Sequence, residues 1–337
     1  MSITALAWLA LYSVAILLSF SNPLFGSLGY LLEYYMRPEL QWWGDQLPAF
    51  RWNLLVSLVL GGTFLLRRSS LRAMVDVPAY AVKCLVALGI VMLLVSLVFA
   101  AETSRSLQNA LQWYKMALIF PLLIVAVVRT RQAFCAFVTV HMLGALWWGW
   151  NAYIDPKRSQ GRLLDIGSGD SLNDNAAAAH LLTVLPFALI CLLTVRDRRV
   201  RLGALLATPA VVNTLILCNS RGATLGLLAA GGASIFLVRK GFRLRLAGAV
   251  IAAGLLILFL ADPQFLTRQR VSSEYGQDGS AQERLETWKG AIRLIEDHPF
   301  GAGGDGFILL SPKYIPLVVE AHEGELRAPH NTFVLVL

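Results

Sequence analysis

Residues 79–100 read AYAVKCLVALGIVMLLVSLVFA, with one charged side chain, Lys83, in the whole stretch. A helix that crosses the hydrocarbon of a bilayer needs about 20 predominantly apolar residues, and this run supplies them. Further apolar runs follow the same logic at 3–20, 50–66, 111–128, 133–153, 177–195, 203–218, 222–238 and 245–261. The whole chain of 337 residues is 56% hydrophobic and 15% charged. Soluble domains stay near 45–50% apolar and about 25% charged. The expected fold class is therefore all-α, a polytopic membrane helix bundle with about nine spans over residues 1–261. Alternating segments of about ten residues, the mark of a membrane barrel, are absent from the sequence. The first run, Ile3 to Phe20, has no basic leader and no small-residue cleavage site, and reads as a retained span. The segment 21–49, aromatic and broken by Pro23, Pro38 and Pro48, reads as a re-entrant hairpin or an interfacial stretch.

The net charge of +8 is a topology signal, and it argues for no nucleic acid partner. RRSSLR (67–72), RTR (129–131), RDRRVR (196–201) and RKGFRLR (239–245) fall on every second connection. Basic short loops stay cytoplasmic. The alternate connections, AETSRS (101–106), DPKRSQGRLLDIGSGDSLNDN (155–175) and NSRG (219–222), are mixed. Nine passes from a cytoplasmic N-terminus would bring residue 262 to the outer side. Residues 262–328 then form one large extracytoplasmic loop, and 329–337 start a further, truncated transmembrane helix. Within the loop, Ser280 and Glu283 read as a capping box, with Leu285, Trp288, Ile292 and Ile295 on one apolar face and Pro299 as the stop.

Several outer-side residues carry chemistry. Arg221 opens an apolar run; a guanidinium there either snorkels to the interface or grips a phosphate. Lys115 lies about a turn inside a span, where snorkelling is the simpler reading. Arg162 is a possible anion contact, and Asn173, Asp174 and Asn175 are placed to cap the helix that follows. His330 stands after Pro329 where the loop meets the next apolar run. His141 and His180 sit in apolar runs and read as satisfied packing residues, and His298 as a helix-end residue. GAGGDGF (301–307) has no strand before it and reads as a tight glycine turn rather than a nucleotide cradle. Glu320, His322, Glu323 and His330 lack the spacing of a zinc-binding helix, so no metal site is expected. Cys84, Cys135, Cys191 and Cys218 have no paired spacing and read as small buried residues.

Three stretches together, SRGA (220–223), ERLETWKGAIRLIEDHPFGAGGDGF (283–307) and PHNTFVLVL (329–337), resemble the O-antigen ligase and O-antigen polymerase superfamily of bacterial envelope proteins. NPLFGSLGYLLEYYMRPELQWWG (22–44) is loosely similar to O-glycosylation ligases of exosortase-linked systems. The resemblance implies a GT-C-like, metal-independent glycosyltransferase without a cofactor, multi-pass in the bacterial inner membrane, with its active face periplasmic. It implies an undecaprenyl-diphosphate-linked glycan as donor, with lipid A–core, another glycan or a protein hydroxyl as acceptor. It points to Arg221, Arg284 and His330 as catalytic; Arg162 and Lys115, read from their own positions, and Asn331 beside His330 are expected to contact substrate. The alternatives are a polymerase of the same superfamily, or a non-enzymatic transporter of lipid-linked glycan. The transporter would need charges along a path at mid-membrane, and the spans carry almost none.

Overall fold

The computed structural model describes residues 1–67, 79–159, 162–167, 173–261, 263 and 279–328. It is almost entirely helical. Among the described residues, six helices are long and apolar enough to cross a membrane: Ala79–Val98, Thr103–Val127, Arg131–Ile154, Asp174–Thr194, Val200–Cys218 and Lys240–Phe259. Three shorter apolar helices accompany them, Ile3–Ser19, Trp52–Arg67 and Arg221–Leu237. Their outward faces are apolar: Leu255, Leu258 and Phe259 are all exposed, the last at 84%. Such a surface is stable against lipid and not against water. The protein is a multi-pass membrane protein.

The chain divides into two units, Met1–Arg72 with Val127–Arg270, and Ala73–Ala126 with Val271–Leu337. The first holds α1 (Ile3–Ser19), α2 (Leu24–Met36), α3 (Trp52–Arg67), α7 (Arg131–Ile154), α8 (Asp174–Thr194), α9 (Arg198–Cys218), α10 (Arg221–Leu237) and α11 (Lys240–Leu260). The second holds α4 (Ala79–Val98), α5 (Thr103–Trp113), a π-helical turn (Tyr114–Ile119), α6 (Phe120–Val127), α12 (Gly279–Asp297), α13 (Gly306–Tyr314) and α14 (Pro316–Ala321). Among the described residues the strand content is one two-residue antiparallel ladder, β1 (Arg158–Ser159) with β2 (Arg162–Leu163).

In the first unit α7, α8 and α9 pack on one another, and α2 joins them against α7. Small residues let the backbones close: a Cβ on Gly144 would lie 2.1 Å from the Tyr35 ring, and one on Gly149 would lie 2.9 Å from Ala210. Close approach through small residues is the main source of helix attraction where lipid removes the hydrophobic drive. The core so formed contains Leu31, Tyr35, Met142, Trp148, Leu181, Val184 and Val211.

Two expectations are corrected here. Residues 24–36 are neither a re-entrant hairpin nor an interfacial stretch. They form α2, which runs antiparallel between α1 and α3: Ser19 bonds to Thr63, and a Cβ on Gly29 would touch both Ala15 and Val56. At the other end the Ser2 amide bonds to Gln46, and Tyr12 Oη donates to the Trp52 carbonyl at 2.6 Å. The C-terminal end of α2 meets the 148 end of α7 and the 180 side of α8. The N-terminus therefore shares an end with connection 155–173, and the end carrying 196–201 is the opposite one. The reason is α2 itself, an additional helix antiparallel to α1 and α3 that reverses the direction of everything before it.

The two ends of this unit differ in charge. Arg67, Arg129, Arg131, Arg196, Arg198, Arg201, Arg239, Lys240, Arg243 and Arg245 gather at one, with Asp197 as the acid among the described residues. The other mixes Arg37, Arg51, Lys157, Arg158, Arg162 and Arg221 with Glu33, Glu39, Asp45, Asp155, Asp165 and Asp174.

In the second unit the glycine string docks on the α4–α5 turn. The Ala101 amide donates to the Ala302 carbonyl at 2.9 Å, and the Gly304 amide donates to Ser106 Oγ at 2.7 Å. Phe99 stacks on Phe300 at 5.1 Å. Gly303 has φ +79, and a Cβ there would meet Ala100 and Ser106 at 2.5 and 2.7 Å. The expected tight glycine turn is present, and it is a docking surface for its own chain.

Candidate active site

At the mixed-charge end of the first unit, the α7–α8 and α9–α10 connections converge. Asn173 caps α8, its Oδ1 accepting from the Ala176 amide at 2.8 Å. The next residue, Asp174, pairs with Arg162 on β2: Nη1 to Oδ2 is 2.6 Å. Asn175 then bridges two neighbours. Arg162 Nη2 lies 3.4 Å from its Oδ1, and Ser220 Oγ donates to the same oxygen at 2.9 Å. Ser220 also caps α10, accepting from the Ala223 amide at 3.4 Å. Arg221 is the first residue of that helix and is half-buried. One asparagine thus ties the Arg162 hairpin to the turn that positions Arg221.

Arg162 had no local partner in the sequence. The structure supplies Asp174, twelve positions on, and so neutralises much of its charge locally. At the same end of the unit α9, α10 and α11 leave a small apolar cleft lined by Leu215, Ile216, Ala223, Thr224, Leu227 and Ile257.

Asn219 was passed over in the sequence. It follows the end of α9 with φ +52, a left-handed backbone, and is only 4% exposed. Its amide N–H donates to the Ile216 carbonyl at 2.9 Å. Its side-chain Oδ1 is buried and has no hydrogen-bond partner among the described residues. No periodicity marks such a residue; the left-handed preference of asparagine at a turn was the available signal.

Deeper in the same unit, Tyr35 Oη lies 2.7 Å from His141 Nδ1 and 2.8 Å from His180 Nε2. A phenol has one hydrogen, so it donates to one imidazole and accepts an N–H from the other. Trp148 Nε1 donates to the Tyr35 carbonyl at 2.9 Å. Both histidines are satisfied packing residues, as expected, and Tyr35 is what satisfies them.

In the second unit Arg284 lies on the exposed side of α12 together with Trp288 and Ile292. This corrects the expected apolar face. The side of α12 that packs carries Thr287, Gly290, Ala291 and Leu294, against Tyr314, Ile315 and Val319. Gly290 is the reason: a Cβ there would lie 2.3 Å from Ile315 Cγ2, so small residues face inward and the large ones turn out. The capping box is also corrected. α12 begins at Gly279, before Ser280, and Glu283 Oε1 lies 3.1 Å from His322 Nε2 at the far end of α14. The helix does end just ahead of Pro299, at Asp297.

Lys115 is exposed and sits on the π-helical turn of the second unit. A π turn inserts a residue and re-aims side chains, and such turns recur at functional sites. Asp305, the acid of the glycine string, is held by Arg105 at 2.7 Å, a pair 200 positions apart that no local pattern announces. His330 and Asn331 lie outside the described residues.

Residues 206–337 match a family model, Wzy_C, described as O-Antigen ligase. The match begins inside α9 and includes Arg221, Arg284 and His330. No curated protein and no solved structure matches the chain.

Proposed function

We propose, from the premise that residues 206–337 form an O-antigen ligase domain of a glycan-processing membrane enzyme, that the protein transfers a glycan from undecaprenyl diphosphate to an acceptor hydroxyl. The observation that carries the reading is the Asn175 bridge, which holds the Arg162 hairpin and the start of the Arg221 helix together at the mixed-charge end. The basic end faces the cytoplasm by the positive-inside rule. The Arg221 end then faces the periplasm of a bacterial inner membrane, where lipid-linked glycans are presented.

The chemistry follows from charge. The acceptor oxygen attacks the anomeric carbon, the bond from that carbon to the diphosphate oxygen breaks, and undecaprenyl diphosphate leaves with the electron pair. Negative charge grows on the leaving group as the bond breaks. Arg221 and Arg284 stabilise that growing charge more than the ground state, which is what lowers a barrier. Their planar forks match diphosphate oxygens in pairs. Arg162, already paired with Asp174, orients the anion site more than it neutralises it, and Lys115 and Asn331 contact the substrate. The acceptor proton goes to His330, whose ordinary pKa near 6.5 lets it accept one at neutral pH. Attack opposite the leaving group inverts the anomeric centre, and no metal ion takes part in this scheme. The ligase acceptor is lipid A–core or a protein hydroxyl; a polymerase would extend a second lipid-linked glycan.

The test is His330→Ala in the producing host. We expect surface glycan attachment to fall at least a hundredfold while the lipid-linked glycan accumulates and the protein remains in the membrane. Normal attachment in that variant would overturn the role of His330. Accumulated full-length polymer marks a ligase, and capped single repeats mark a polymerase.

A further inference from the structure

We infer that Asn219 is a specificity residue, its side-chain oxygen accepting a hydrogen bond from the first sugar of the lipid-linked donor. The inference rests on the reading that Arg221 binds the diphosphate. Asn219 is 4% exposed, and its Oδ1 is buried without a partner among the described residues. A buried amide oxygen left unpaired destabilises the fold, so natural proteins keep one where something else completes it. The backbone adds to that cost. At φ +52 the residue occupies the left-handed region, which asparagine tolerates and most other side chains resist.

The Ser220 hydroxyl and the terminal nitrogens of Arg162 are committed elsewhere, while Arg162 Nε has no hydrogen-bond partner among the described residues. The Ser220 hydroxyl goes to Asn175, and Arg162 goes to Asp174 and Asn175. The Asn219 main-chain N–H goes to Ile216. Among the described residues no donor reaches Oδ1, which lies two residues from Arg221.

The chemistry of the donor lipid then selects the partner. A fully ionised diphosphate offers acceptors alone, and an isoprenoid chain offers neither donor nor acceptor. The sugar attached to the diphosphate is the one part of the molecule with O–H and N–H groups. An acceptor oxygen beside the diphosphate-binding arginine therefore reads the first sugar.

The experiment uses the full-length protein in nanodiscs and two probes, undecaprenyl diphosphate and undecaprenyl-diphospho-N-acetylglucosamine. Asn219→Gly keeps the left-handed backbone and removes the side chain. We expect it to weaken the sugar-bearing probe by about tenfold and to leave the sugar-free probe unchanged. Arg221→Lys should weaken both. Equal effects of Asn219→Gly on the two probes, or none on either, would overturn the inference while Arg221→Lys still confirms the diphosphate site. If Arg221→Lys leaves both probes unchanged, the underlying reading of Arg221 fails instead. Should Asn219→Gly not fold, the wild-type protein decides the matter: equal affinity for the two probes also overturns the inference.

Discussion

Asp297 shows how a single exposed carboxylate is given a preference. Its Oδ2 accepts from Tyr314 Oη at 2.6 Å and from Lys313 Nζ at 2.9 Å. The Tyr314 hydrogen bond first, and the Lys313 ammonium second, hold its pKa below the ordinary carboxylate value. Lys313 moves the other way, raised by its hydrogen bonds to Tyr314 first and Asp297 second. A carboxylate depressed in the folded state adds stability above its unfolded pKa and loses it as pH falls through the folded value. A raised lysine adds stability below its unfolded pKa and loses it as pH rises through the folded one. The α12–α13 contact should therefore be firm from mildly acid to mildly alkaline pH and loosen below the carboxylate range. Hydrogen exchange at α12 measured at pH 7 and at pH 3 checks this. Asp297→Asn should weaken protection at pH 7 and remove the difference attributable to this group. The effect is small, because exposed pairs are well screened. At this scale the sequence was partly readable. His141 and His180 had to be satisfied, because an imidazole in an apolar run needs a partner. That the partner is Tyr35, more than a hundred positions away from either, is set by packing and by no local pattern.

Elements were legible where length and apolar content decide them, and obscure where a neighbour does. α4 is read from its sequence because nothing but lipid explains it. α2 is not, since thirteen residues rise only about 20 Å and its Glu33 argues against a crossing. Its place between α1 and α3 comes from Gly26 and Gly29, which admit Leu60, Ala15 and Val56 at contact distance. On α12 the rule that large apolar residues face inward failed, because Gly290 brings the α13–α14 corner too close for them. The glycine string was legible as a turn, since several glycines in a row have few other uses, but its docking partner was not. Gly303 makes the point testable. Gly303→Leu would impose a side chain on a left-handed backbone and drive it into Ala100 and Ser106. Strain of about 1–2 kcal/mol and overpacking of about 1–3 kcal/mol should destabilise the docking of residues 300–306 on the α4–α5 turn. Limited proteolysis of the purified variant should cut between α12 and α13 several times faster than in the wild type. An unchanged rate would show that this docking does not hold the loop.

For the whole molecule, class and orientation depend on different signals, and only the first was secure in the sequence. Membrane class follows from a summed property, apolar content over many windows, so a misjudged segment leaves it intact. Orientation follows from parity, so one extra pass reverses everything on its far side. α2 is that pass. Within the first unit, in α3 and α7–α11, the basic connections and the helix directions agree, and Arg162 and Arg221 share the end opposite the basic one. Before α3 the assignment inverts, and the N-terminus moves to the Arg221 end. The residues proposed as catalytic stand out in the sequence only as residue types at the seams of spans. The bridging Asn175 and the orphan oxygen of Asn219 were not legible there, because they arise where two connections meet in space. The parity argument has a direct test in a variant whose native cysteines are replaced by serine. Single cysteines at Ser21, Asp45, Lys157 and Arg196 would be probed with a membrane-impermeant maleimide on intact spheroplasts. Asp45→Cys and Lys157→Cys should label at once, whereas Ser21→Cys and Arg196→Cys should label only after permeabilisation. Ser21→Cys is the decisive site: a crossing by α1 alone from a cytoplasmic N-terminus would expose it outside, and prompt labelling there would remove α2 as a pass.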